Sequence, residues 1–249
     1  MSGEAGLSPG AGEAGPAGGP EGPVAGDLAA VRPPTRGELL WYHFAWVVMF
    51  LPCWLMWRAK VVGKENLPQT VPYILAPVHR SYIDTFLAAY ITTRRMRFMA
   101  KEEMFSKPWA AKLFSSLGGF PVRRGTPDRE ALLMCEQALA GGEPVVLFPE
   151  GTRRTGPEVE PLFPGPAFLA LRANVPIVPV GIGGSDRSMP IGAKWVRPAR
   201  AAVVIGKPIW PPPRPESGRV PRRVVAELTE RLRSEMQAAF DQARDLVHA

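Results

Sequence analysis

The sequence predicts an α/β fold: a single domain with a mixed, mostly parallel sheet flanked by helices, preceded by a hydrophobic, membrane-associating helical segment. Two observations carry this expectation. Apolar runs of strand length alternate with segments of helical periodicity from about residue 59 onward, the pattern expected of strands joined by crossover helices. Ahead of them, residues 39–57 read LLWYHFAWVVMFLPCWLMW without a charged side chain.

Residues 1–36 are rich in Gly, Ala, Pro and Glu and nearly devoid of large apolar side chains, so they cannot offset the entropy of folding and are expected to form a disordered tail. They lack the basic start and apolar run of a secretory signal. The apolar segment, residues 37–57, is close to the length that spans a bilayer. Trp41, Trp46, Trp54 and Trp57, with Tyr42 and His43, favour the headgroup region, and Pro52 is expected to interrupt or kink the helix. Interfacial or re-entrant insertion is therefore preferred to a full span, with packing against the domain as the alternative. Arg58, Lys60 and Lys64 follow directly, consistent with a negatively charged cytoplasmic leaflet.

The domain proper is expected over residues 58–210. A short strand at 59–62 leads through a turn at 63–68 to a buried strand at 73–78. A helix over 81–93 and a strand near 97–100 come next, then a helix at 109–117 and a strand at 119–123. Pro127-Asp128-Arg129-Glu130 opens a helix with acids in its first turn, and Gly141-Gly142 closes it. Residues 145–148 form a strand, 167–173 a helix, 175–182 and 201–205 strands. The remainder, 211–249, comprises the end of a proline-rich linker and a helix from about 220 to 248. That helix carries Val224, Leu228, Leu232 and Met236 on one face, a docking stripe for the core.

The chain has 249 residues, 46% hydrophobic and 21% charged, with a net charge of +7 and a pI near 9.8. This excess of cations favours anionic partners. No zinc finger, aromatic RNA-binding signature or contiguous basic helix occurs, which argues against nucleic acid and leaves a membrane surface as the better partner. Cys53 and Cys135 have neither metal-ligand spacing nor a disulfide framework. Both read as packing residues, and no metal site is expected.

The chemistry is concentrated in two segments. In His79-Arg80-Ser81-Tyr82-Ile83-Asp84, a histidine is followed five residues later by an aspartate able to fix its tautomer and stabilise the imidazolium. Residues five apart on one helix point about 140° apart, so contact requires His79 to lie outside the helix. The strand before it and the Ser-x-x-acid helix start after it provide that break; Asp84 could alternatively serve only as part of the cap. In Phe148-Pro149-Glu150-Gly151-Thr152-Arg153, glycine permits a tight turn and close approach of backbone amides to an anion. Glu150 could orient a substrate hydroxyl or hold an arginine, and Arg153 could neutralise a phosphate. Arg123 and Arg124 end the strand at 119–123, where ligands collect in open α/β sheets, and guanidinium forks suit phosphate.

Over residues 58–210 this set resembles the glycerolipid acyltransferases typified by 1-acyl-glycerol-3-phosphate acyltransferases. His79 and Asp84 match the first block of that family, Gly119 to Arg124 its second, Phe148 to Arg153 its third, and Val175-Pro176-Ile177-Val178-Pro179-Val180 its fourth. Val78 stands where many members have asparagine, and Pro121 replaces an aromatic residue. The resemblance implies transfer of a fatty acyl group from acyl-CoA or acyl-carrier protein, as co-substrate without a further cofactor, to the hydroxyl of lysophosphatidate at the cytoplasmic face of the cell membrane. It implies His79 as general base aligned by Asp84, Arg124 and Arg153 on the acceptor phosphate, and Glu150 and Gly151, with neighbouring Thr152, shaping the site. Glycerol-3-phosphate or another lysophospholipid is an alternative acceptor. A lipid-binding protein with a degenerate site and a hydrolase using Ser81 are the competing classes, the latter without a Gly-x-Ser-x-Gly elbow.

Overall fold

The structure, a computed structural model, describes residues 34–122, 129–213 and 220–248. The expected tail up to residue 33, Arg123 and Arg124, and part of the proline-rich linker lie outside the described residues. Among the described residues seven strands form one sheet: β1 (Lys60–Val62), β2 (Ile74–Pro77), β3 (Arg97–Lys101), β4 (Gly119–Val122), β5 (Val145–Val146), β6 (Ile177–Gly183) and β7 (Ala202–Ile205). Their spatial order is β1-β7-β6-β2-β5-β3-β4. Every pairing between these strands is parallel except β6 with β7.

That antiparallel pairing sets where the segments before β7 and β1 lie. It reverses β7, and β1 with it, so both begin at the sheet edge where β2, β5 and β6 end. The central strands are buried on both sides, with Ile74, Leu75, Ile177, Val178 and Val180 at zero exposure, as parallel strands covered by helices must be.

The helices are α1 (Arg36–Trp57), α2 (Asp84–Tyr90), α3 (Pro108–Ser116), α4 (Arg129–Ala140), α5 (Gly165–Ala173), α6 (Ser185–Ser188) and α7 (Arg222–His248). Helix α1 starts on a full capping box: Thr35 Oγ1 accepts the Glu38 N–H at 3.3 Å, and Glu38 Oε2 accepts the Thr35 N–H at 2.7 Å. It ends with Arg58 in the left-handed region. The expected interruption at Pro52 does not occur: the helix runs unbroken to Trp57. Proline removes one N–H donor, and the remaining turns and their packing sustain the helix.

One face of α1 docks on the domain, burying Tyr42, Phe50 and Trp57. The indole N–H groups of Trp46 and Trp41 donate to the Ala89 carbonyl (3.3 Å) and to Ser116 Oγ (3.1 Å). Another face leaves Leu40, Phe44, Val47, Leu51 and Leu55 exposed at helical spacing. Among the described residues no helix is long and apolar enough to cross a membrane.

Other boundaries moved for local reasons. The helix expected over residues 81–93 is shorter, spanning Asp84–Tyr90, with Ile83 at the N-cap position and no side-chain cap bond. Strand β5 is only two residues long, yet the Leu147 N–H still donates to the Leu75 carbonyl at 2.9 Å. Helix α6, four residues long, was not expected; it is too short to show a period. Cys135 is fully buried in α4, and burial pushes its thiol up to about 12, so it carries no reactive thiolate near neutral pH.

Helix α7 buries Leu228, Leu232 and Met236 as expected, and extends the stripe through Ala239, Phe240, Ala243 and Val247. Its backbone approaches β6 because that strand presents glycines. A Cβ at Gly181 would strike the Ala239 carbonyl, and one at Gly183 would lie 2.6 Å from the Ala243 carbonyl oxygen. Gly181→Ala is therefore expected to lower stability by about 1–3 kcal/mol through overpacking, read as a lower urea midpoint at unchanged slope. An unchanged midpoint would show that α7 can shift away without loss.

Candidate active site

Because β2 lies beside β5, the turns that follow them meet at the carboxyl edge of the sheet, where open α/β sheets bind ligands. His79 follows β2, and Glu150 follows β5. The His79 backbone N–H donates to Glu150 Oε2 at 2.8 Å, tying the two segments together.

The His79 side chain meets Asp84 as expected: Nδ1 lies 3.1 Å from Oδ2. Oδ2 also accepts the backbone N–H groups of Arg80 and Ser81, each at 2.6 Å. A carboxylate only accepts, so Nδ1 carries the proton and Nε2 is left as the basic atom. Asp84 is fully buried and His79 is 9% exposed; the ring stacks on Phe148 with centroids 4.1 Å apart. The capping alternative is thus half fulfilled. Asp84 reaches back to the Ser81 N–H, whereas Ser81 Oγ accepts the Ile83 N–H at 3.4 Å instead of that of Asp84, and its hydroxyl donates to the Met189 carbonyl at 2.7 Å. Ser81 is wholly buried, which does not suit a nucleophile.

Glu150 holds an arginine, the second of its two expected roles, and the arginine is Arg80. Arg80 Nη1 donates to both Glu150 oxygens at 2.8 Å, Nη2 donates to the Glu158 carbonyl at 2.8 Å, and the guanidinium lies 4.8 Å from the Phe240 ring centroid. Both side chains are almost inaccessible, at 3% and 0% exposure. Sequence reasoning assigned Arg80 no role. Its signal was an arginine adjoining the histidine and a glutamate on a distant strand end, which becomes meaningful only when β2 and β5 are known to be neighbours.

Arg153 stacks its guanidinium 3.6 Å from the centroid of the half-exposed Tyr82 ring, so the two chemical segments also meet there. Gly151 adopts φ +68°, a left-handed conformation that favours glycine, and a Cβ on it would come within 2.5 Å of the ring of Phe163, which is exposed and would have to swing aside. Thr152 is exposed. Arg154, next in sequence, donates its backbone N–H to the His79 carbonyl at 2.8 Å and pairs with Glu160 at 2.9 Å. A cleft of about 330 Å³, whose lining includes Arg80, Arg154, Asp186, Ile191, Phe240 and Arg244, adjoins this turn. No group of side chains suited to a metal ion occurs among the described residues.

The site therefore provides an oriented base beside the stacked guanidinium of Arg153, with that of Arg80 neutralised by Glu150, an arrangement able to move a proton. Residues 58–183 match the family model described as Acyltransferase, and the chain belongs to that family. A 1-acyl-sn-glycerol-3-phosphate acyltransferase of Bacillus subtilis is 30% identical over 151 residues, 60% of this chain and 73% of the relative. The chloroplastic enzyme BAT2 of Brassica napus, named for the same activity, is 28% identical over 158 residues, 62% of this chain and 46% of its own. The mouse 1-acyl-sn-glycerol-3-phosphate acyltransferase alpha is 32% identical over 129 residues, covering 49% and 44%. This chain thus spans most of the Bacillus relative's length but under half of the plant and mouse relatives'. The crystal structure of the 1-acyl-sn-glycerophosphate (LPA) acyltransferase PlsC from Thermotoga maritima superposes with a TM-score of 0.62 at 23% identity, covering 83% of this chain and 78% of that one. It shares the fold, a single α/β domain with a mostly parallel sheet.

Proposed function

We propose that the protein transfers a fatty acyl group from acyl-CoA or acyl-carrier protein to the free hydroxyl of 1-acyl-glycerol-3-phosphate, giving phosphatidate for phospholipid biosynthesis. The observation that carries this reading is the His79–Asp84 pair at 3.1 Å, buried at the carboxyl edge of the sheet, within a member of the acyltransferase family. His79 Nε2 takes the hydroxyl proton as the oxygen attacks the thioester carbonyl. Asp84 stabilises the imidazolium, which returns the proton to the departing thiolate as the tetrahedral intermediate collapses to ester and free thiol. Arg153 engages the acceptor phosphate, with Arg123 and Arg124 as further partners beyond the described residues. Glu150, Gly151 and Thr152 shape the turn that presents Arg153.

The acceptor is an amphiphile, and the exposed face of α1, with Arg58, Lys60 and Lys64 after it, suits interfacial association with the cytoplasmic leaflet. A matrix of donors against acceptors tests the substrate assignment: lysophosphatidate is expected to exceed glycerol-3-phosphate and neutral lysophospholipids in kcat/KM. Arg153→Ala is expected to raise KM for lysophosphatidate about ten- to a hundred-fold, the usual worth of a hydrogen bond to a charged group. Equal use of a lysophospholipid without a phosphomonoester, or an unchanged KM in Arg153→Ala, would contradict the acceptor assignment.

A further inference from the structure

Trp195 is 81% exposed, more than any other large apolar side chain among the described residues. It lies between α6 and β7, where Ile191 and Val196 are also exposed beside exposed Lys194, Arg197 and Arg200. The loop itself, residues 189–200, carries three basic residues and no acidic one, with Asp186 and Arg187 preceding it in α6. An exposed indole with exposed cations close to it in sequence has the composition of a lipid headgroup contact.

The loop is fastened to two places that matter. Trp57, the last residue of α1, donates its indole N–H to Ser188 Oγ at 2.8 Å, Ser188 Oγ donates to the Arg197 carbonyl at 2.6 Å, and the Ala201 N–H donates to the Trp57 carbonyl at 3.0 Å. At its other end, the Met189 carbonyl accepts the Ser81 hydroxyl at 2.7 Å, two residues from His79. Reversal of β7 relative to β6 places this loop and the end of α1 at the same sheet edge as the His79 turn.

We infer that this loop, residues 189–200, is a second lipid-contacting element: Trp195 and Ile191 enter the headgroup layer of an anionic bilayer, while Lys194, Arg197 and Arg200 meet its phosphates. The inference rests on the membrane-associated reading above and adds a sequence-distant contact that α1 does not supply. Together the two elements hold the catalytic edge towards the bilayer, the side from which a lysophospholipid arrives and to which the more apolar product returns.

The full chain is tested by cosedimentation with phosphatidylcholine vesicles, with and without phosphatidylglycerol. Trp195→Ala is expected to lower partitioning several-fold on both vesicle types. Lys194→Ala and Arg197→Ala are each expected to lower it about fivefold on the anionic vesicles at low salt, and little on the neutral ones. Melting temperature, and kcat on a short-chain lysophosphatidate dispersed as monomers, should stay at wild-type values. Variants that partition like wild type would overturn the inference and would be the outcome for a loop that docks a protein. Loss of turnover on the monomeric substrate would also overturn it, by making the loop a support of the active site. A wild-type chain that binds neither vesicle would sink the underlying membrane reading along with it.

Discussion

Replacing His79 by alanine is expected to lower acyl transfer by about 10² to 10⁴-fold, the usual contribution of a positioned general base, with the fold retained. The fold should survive because Asp84 keeps its bonds from the Arg80 and Ser81 N–H groups when the imidazole is gone. Rates with saturating donor and acceptor, alongside a thermal melt, make the measurement. Asp84→Asn separates alignment from proton transfer: an amide of the same size keeps the space but cannot stabilise the imidazolium, so activity should fall further than stability. Wild-type turnover in a folded His79→Ala variant would remove the histidine from the mechanism.

The second large effect is on stability and activity together. Glu150→Gln leaves the Arg80 guanidinium buried at 3% exposure without its counter-charge, and breaking such a pair costs about 3–5 kcal/mol. The same substitution loosens the Glu150 bond to the His79 backbone, so the surviving folded fraction should also show a reduced kcat. Urea unfolding reads the first and single-turnover kinetics the second. The double variant Arg80→Met, Glu150→Gln should lose less stability than the sum of the single variants, because no charge is then left unpaired. Simple additivity would mean that the pair is decoupled and that Glu150 acts through His79 alone.

Much of the site was legible because its logic is local. The break between strand and helix that lets His79 reach Asp84 follows from five residues of spacing and the helical period, and Gly151 is fixed by its turn. The Arg80–Glu150 pair was not legible, since it joins residues seventy positions apart and depends on β2 lying beside β5. Strand order is set by tertiary packing, which alternating apolar runs leave open. The antiparallel β6–β7 pairing, which brings α1 and the Trp195 loop to the catalytic edge, was hidden for the same reason. In α1 the apolar run reads as a membrane segment, with packing on the domain as the alternative, and the structure divides it: Tyr42, Phe50 and Trp57 pack on the domain, while Leu40, Phe44 and Leu51 face outward. A helix apolar on both faces gives too little period for sequence to assign them.

The most direct measurement follows the thiol and the lipid in one reaction. The wild-type chain in liposomes, given an acyl thioester and isotopically labelled lysophosphatidate, should release one free thiol for each labelled phosphatidate formed, with the donor's acyl chain in the product by mass spectrometry. Lysophosphatidate bound without thiol release, or thiol released with free fatty acid in place of phosphatidate, would contradict acyl transfer to the lipid hydroxyl.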